Sequence, residues 1–165
     1  MQMSLPGVGG NSQSGSVHQA PQYRIEHKKI LQALQESSGG CRGVAEIYRG
    51  EVLPVKTRTI QLLGRKSPAR IINTLLGFEV QASYKRVTCP DMVTARYLRV
   101  FTELGCRSIK LPYDPTITDS IIPELELALN RLSAGVRALF PGKRSVQLLV
   151  LRRLYAHLRS ELHSQ

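Results

Sequence analysis

The sequence predicts a mixed helix-and-sheet fold, α/β or α+β, on three observations. First, the stretch from Tyr84 to Leu132 reads as strand, helix, strand, helix, a βαβα unit whose two helices carry apolar stripes that need a shared core. Second, a chain of 165 residues with 42% hydrophobic content can build one sizeable core. Third, Trp is absent and Phe and Tyr are few, so that core must be mostly Leu, Ile and Val. The expected organisation is a disordered Gly/Ser/Gln-rich tail over residues 1–21 and a single basic domain over residues 22–165. An N-terminal helix and a C-terminal amphipathic helix complete that domain.

Met1 to Pro21 carries no charged residue and is low in complexity, which is the composition of a tail that cannot bury a core. Tyr23 to Glu36 reads as a helix with Ile30, Leu31 and Leu34 on its stripe, ended by Ser37-Ser38-Gly39-Gly40. Val44, Ile47 and Tyr48 fit a helical turn or a strand. Pro54 interrupts Val52-Leu53-Pro54-Val55, so that run is expected to be irregular or an edge strand. Thr57 to Leu63 has strand composition.

In Gly64 to Gly77, Ser67 is a good helix cap and Pro68 a good first residue, with Ile71, Ile72, Leu75 and Leu76 as the buried face and Gly77 as terminator. Arg65, Lys66 and Arg70 would then surround a helix N-terminus, where free N–H groups and added cations make a candidate phosphate site. The plain alternative is a solvated basic turn that starts a helix.

Phe78 to Thr88 alternates in period two and is expected to be one half-buried strand. Thr88 or Cys89 is then the expected cap of a helix from Pro90 to Leu104, with Val93, Tyr97, Val100, Phe101 and Leu104 inward and Arg96, Arg99 and Glu103 on the opposite face. Gly105 ends it. Ser108 to Leu111 reads as the next strand, Pro112 to Pro115 as a turn, and Thr118 or Asp119 as the cap of a second helix with Ile122, Leu125, Leu129 and Leu132 on its stripe. A strand–helix–strand unit of this length normally makes a crossover between parallel strands. Val136 to Pro141 reads as a connector. The last helix, capped by Ser145, presents Val150, Leu151, Leu154, Tyr155 and Leu158, with Arg152, Arg153 and Arg159 bordering the stripe. A stripe this wide usually faces a core, and the same helix is the candidate contact for a second copy or a partner subunit.

Charge is the strongest global signal. The net value is +11. Residues 40–110 hold thirteen Lys/Arg against five Asp/Glu, residues 111–135 one against four, and residues 136–165 six against one. Two basic blocks thus flank an acidic helix. An excess of this size favours an anionic partner, either nucleic acid or an acidic protein.

Chemistry is thinly represented. Three widely spaced cysteines, Cys41, Cys89 and Cys106, form no CxxC pair and read as reduced thiols. His18, His27, His157 and His163 show no metal-ligand spacing, so no metal or cofactor is expected. No nucleotide-binding glycine motif or serine-hydrolase motif is present. Cys89, at a helix start near Lys85 and Arg86, is the best candidate nucleophile, but no base is near it in sequence. No apolar run approaches the roughly 20 residues that span a bilayer, and the N-terminus lacks the pattern of a secretory or transit leader. The expected location is the cytoplasm.

The leading expectation is a non-enzymatic nucleic-acid-binding or regulatory protein, with DNA among its candidate targets. Arg65, Lys66, Arg70, Lys85, Arg86, Arg96 and Arg99 would contact phosphates, mostly without reading sequence. The alternative is an interaction or assembly factor whose basic face binds an acidic protein. A small cysteine-dependent enzyme comes third.

Overall fold

Two aspartates start the two helices that organise the chain. Asp91 accepts a hydrogen bond from the Thr94 N–H at 2.6 Å and caps α3 (Met92–Glu103). Asp114 accepts from the Thr116 N–H at 2.9 Å and caps α4 (Pro115–Leu139), with Pro115 in the first turn, where its missing N–H is harmless. The computed structural model describes residues 29–34, 39–64 and 68–163. The expected tail, the start of the N-terminal helix, and the Arg65-Lys66-Ser67 segment lie outside them.

The elements follow in order: α1 (residues 29–34), α2 (Val44–Ile47), a π-helical turn (Tyr48–Val52), β1 (Thr57–Gln61), β2 (Ala69–Thr74), β3 (Gly77–Ala82), β4 (Lys85–Cys89), α3, β5 (Ser108–Pro112), α4 and α5 (Arg144–His163). The mixed helix-and-sheet class is as expected, and β4, α3, β5 and α4 give the strand–helix–strand–helix order. The pairing differs from the expectation. β4 and β5 belong to different sheets, so no parallel crossover forms. β5 instead pairs antiparallel with β1, Ile60 facing Ile109. β2, β3 and β4 form a separate antiparallel meander.

Two further expectations are corrected. Residues 69–74 form a strand rather than a helix. Ile71, Ile72 and Thr74 are β-branched and stiff at χ1, which suits a pleated strand. Ala69 and Ile71 lie on its inner face, while Leu75 and Leu76 form an exposed hairpin tip. Phe78 to Thr88 is a hairpin rather than one strand, turning at Ser83-Tyr84 with Ser83 at φ 58°.

The helix bounds also move. α4 is capped by Asp114 rather than by Thr118 or Asp119, which puts Pro123 inside the helix, and it runs through Gly135 to Leu139. Val136 to Leu139, expected as part of a connector, is thus helical, and α4 passes through Gly135. A side chain there would collide with Leu34 of α1, so the glycine lets the two helices approach.

The main core joins α2, the π turn, α3, β5 and the first half of α4 through Ile47, Tyr48, Val52, Tyr97, Phe101, Ile109, Ile122 and Leu125. A second cluster, with Leu34, Val136, Val150 and Leu154, ties α1, the end of α4 and the start of α5 together. Tyr48 and Tyr97 flank Phe101, with ring centroids at 5.6 and 4.9 Å. Arg42 joins the α2 end of the fold to α4, pairing with Glu124 through Nε at 2.9 Å and Nη2 at 2.7 Å, and with Glu51 at 2.7 Å.

Candidate nucleic-acid interface

The register of the meander decides which basic residues share a surface. Ala69, Ala82 and Lys85 align across the sheet, as do Arg70, Gln81 and Arg86, and Ile71, Val80 and Val87. Successive side chains in a strand alternate between faces. The face holding Ala69, Val80 and Cys89 packs into the core with α3. The other face therefore carries Arg70, Gln81 and Arg86 in one row, with Ile72, Glu79 and Thr88 in the next. Arg70, Arg86 and Thr88 are exposed. Two strand spacings put the Cα atoms of Arg70 and Arg86 roughly 9–10 Å apart.

The seven cations expected from the sequence therefore separate into groups. Arg70 and Arg86 are together on the solvent face of the sheet, and Arg86 also reaches Glu79 at 3.2 Å. Lys85 is exposed at the start of β4, with its side chain on the other face by alternation. Arg96 and Arg99 are half-buried and turned towards α4, where both reach Glu126. Arg96 makes a two-point contact, at 3.2 Å to Oε1 and 2.6 Å to Oε2, and Arg99 adds one at 3.3 Å. The Arg96 guanidinium holds the Glu126 carboxyl below its usual range. The arginines expected opposite the inward stripe of α3 are thus paired with a carboxylate of α4. Arg65 and Lys66 lie outside the described residues, and the helix N-terminus they were expected to surround is absent, because β2 occupies that stretch.

The acidic helix is altered in the same way. Glu124 is held by Arg42 and Glu126 by Arg96 and Arg99, so two of its four carboxylates are neutralised within the fold. Asp114 caps the helix. The sequence block of net −3 is therefore not an open acidic surface.

Cys89 is fully buried, and burial pushes its thiol up to about 11. A thiol held protonated and out of solvent lacks what a nucleophile needs. Cys106 is likewise buried and pushed up to about 11. The three cysteines are free, with only Cys41 exposed. Among the described residues no cluster of His, Cys, Asp or Glu could hold a metal ion, and no helix is long and apolar enough to cross a membrane.

The chain matches no protein-family model, no curated protein and no solved structure.

Proposed function

We propose that this chain is a non-enzymatic nucleic-acid-binding protein, regulatory in role, that contacts phosphates through the solvent face of its three-stranded sheet. The observation that carries the reading is the Arg70–Gln81–Arg86 row. Two arginines and an amide are displayed side by side on a rigid surface by strand register. Arginine forks match phosphate oxygens, and a glutamine between them adds neutral donors. The charge of +11 supplies the long-range attraction. The row holds no aromatic platform for base stacking, so recognition is expected to follow the backbone rather than the bases. The test is fluorescence anisotropy of random DNA and RNA, single- and double-stranded, with Arg70→Gln/Arg86→Gln beside the parent chain. The double variant should bind more weakly in every sequence context.

A second reading rests on a different feature. Leu75 and Leu76 project fully exposed from the β2–β3 tip, at 105% and 94% of full exposure. Such a tip suits insertion into an apolar pocket of a partner protein, as an assembly factor would use it. Capture of a partner that is lost with Leu75→Ser/Leu76→Ser but kept with Arg70→Gln/Arg86→Gln would favour this reading over the first.

A further inference from the structure

A groove of about 440 Å³ lies where the α3–β5 connection meets the last turns of α5, lined by Gly105, Arg107, Ala156, Arg159, Ser160 and His163. None of these residues is acidic, and three carry basic side chains. Its volume falls within the range of small-ligand sites.

The two arginines are held in different ways. Arg159 donates from Nη1 to the Leu104 carbonyl at the end of α3, which fixes its guanidinium and uses one of its five N–H donors. Arg107 is exposed, and its stem runs beside Gly64. A side chain at Gly64 would come within 2.9 Å of the Arg107 Cγ, and Gly64 has φ +61°, so both the conformation and the space call for glycine. The backbone beneath is pinned, since Leu62 N–H donates to the Arg107 carbonyl at 2.7 Å and Gly64 N–H to the Cys106 carbonyl at 3.0 Å. Arg159 is the fixed donor of the two, and a fixed donor loses less freedom on binding than a mobile side chain.

The groove is also close to the sheet along the chain. Pro68, which precedes β2, is four positions after Gly64, so their Cα atoms are at most about 14 Å apart. The Arg70–Arg86 row begins two residues later.

We infer that this groove is a binding site for a phosphate monoester, with Arg107 and Arg159 gripping the phosphate and His163 at its rim. Two guanidinium groups without a facing carboxylate match a dianion better than the single charge of a diester. A monoester occurs at the end of a nucleic-acid strand and on a free mononucleotide. This inference deepens the nucleic-acid reading, but it can be judged apart from it.

The experiment compares one fluorescent oligonucleotide with a 5′-phosphate or a 5′-hydroxyl, and competes each with a nucleoside 5′-monophosphate and with inorganic phosphate. The 5′-phosphate should tighten binding about tenfold, the worth of a strong charge-assisted contact. Arg107→Gln should abolish that advantage while leaving hydroxyl-ended binding nearly unchanged. Arg159→Lys, which keeps the charge but loses the fork, should reduce it. Because Arg107 is exposed, Arg107→Gln should fold, as a thermal melt would verify. Equal binding of the two ends, with no competition by the monophosphate, overturns the groove site while leaving the sheet reading intact. Monophosphate binding that is lost in Arg107→Gln, without any oligonucleotide binding, supports the groove and overturns the sheet reading.

Discussion

Arg96 and Glu126 form a two-point ion pair across α3 and α4, with Nη2 to Oε2 at 2.6 Å and Nε to Oε1 at 3.2 Å. The pair joins α3, from the central basic block, to the acidic helix, and it engages Arg96 within the fold. Glu126→Gln should therefore act in two directions. Stability should fall by about 1 kcal/mol, as for a partly buried, well-aligned pair. Nucleic-acid affinity should rise, because Arg96 and Arg99 lose their carboxylate and the net charge increases by one. Urea melts and anisotropy on the same preparation check both.

Two glutamates give opposite pH signatures. Glu126 is lowered by its hydrogen bond to Arg96, so its stabilisation is complete above the ordinary value of 4.5 and is lost as pH falls through its lowered pKa. Glu103 is raised by burial, with Arg99 partly opposing that shift. Its ionised form costs stability above the raised pKa, and the cost disappears as pH falls towards 4.5. Glu103→Gln should thus be more stable than the parent at pH 7 and equal to it near pH 4. Glu126→Gln should be less stable at pH 7, with the deficit closing only at lower pH. Denaturation midpoints from pH 3 to 8 would separate the two.

Lys110 has its backbone held by two tyrosines. Its N–H donates to the Tyr48 hydroxyl at 3.1 Å, and its carbonyl accepts from the Tyr97 hydroxyl at 2.7 Å. Tyr97 is fully buried. Tyr97→Phe leaves a carbonyl without that donor and should cost about 1–2 kcal/mol. Native-state amide exchange should show faster opening of β5 in the variant.

Ser83 occupies a left-handed conformation at φ 58° in the β3–β4 turn. A non-glycine residue there costs roughly 1 kcal/mol. Ser83→Gly should raise the melting temperature by a few degrees, net of the entropy that glycine adds to the unfolded chain. It should leave nucleic-acid binding unchanged, since Ser83 stands outside the Arg70–Arg86 row.

What the sequence made legible follows from how local each signal is. α3 and β5 are legible because their information sits within them: a helical stripe from Val93 to Leu104, a glycine stop and an alternating strand, although the cap is Asp91 rather than the expected Thr88 or Cys89. The stretch at 69–76 misled because Ile71, Ile72, Leu75 and Leu76 repeat at helical spacing, whereas pairing with β3 made the segment a strand. Gly77 fits a helix end or a hairpin equally well, since both welcome the positive φ, +123°, that it adopts. The hairpin turn at Ser83-Tyr84 lacks the Asn-Gly type of signal that marks such turns. Val136 to Pro141 reads as a connector, yet α4 runs on to Leu139. The Arg70–Arg86 row needs the register, and the groove needs tertiary packing to bring Arg107 and Arg159 to its lining. Neither relationship has a local pattern. The pairing of Arg96 with Glu126 was equally hidden, because the two lie thirty residues apart on different helices.

The most direct test of the central claim is the salt dependence of binding to random single- and double-stranded oligonucleotides, for the parent chain and for Arg70→Gln/Arg86→Gln. Binding should weaken steeply with salt, and the slope of log K against log salt should become shallower by about 1.5–2 in the double variant, as loss of two phosphate contacts requires. No binding at low salt, or an unchanged slope in the variant, would contradict it.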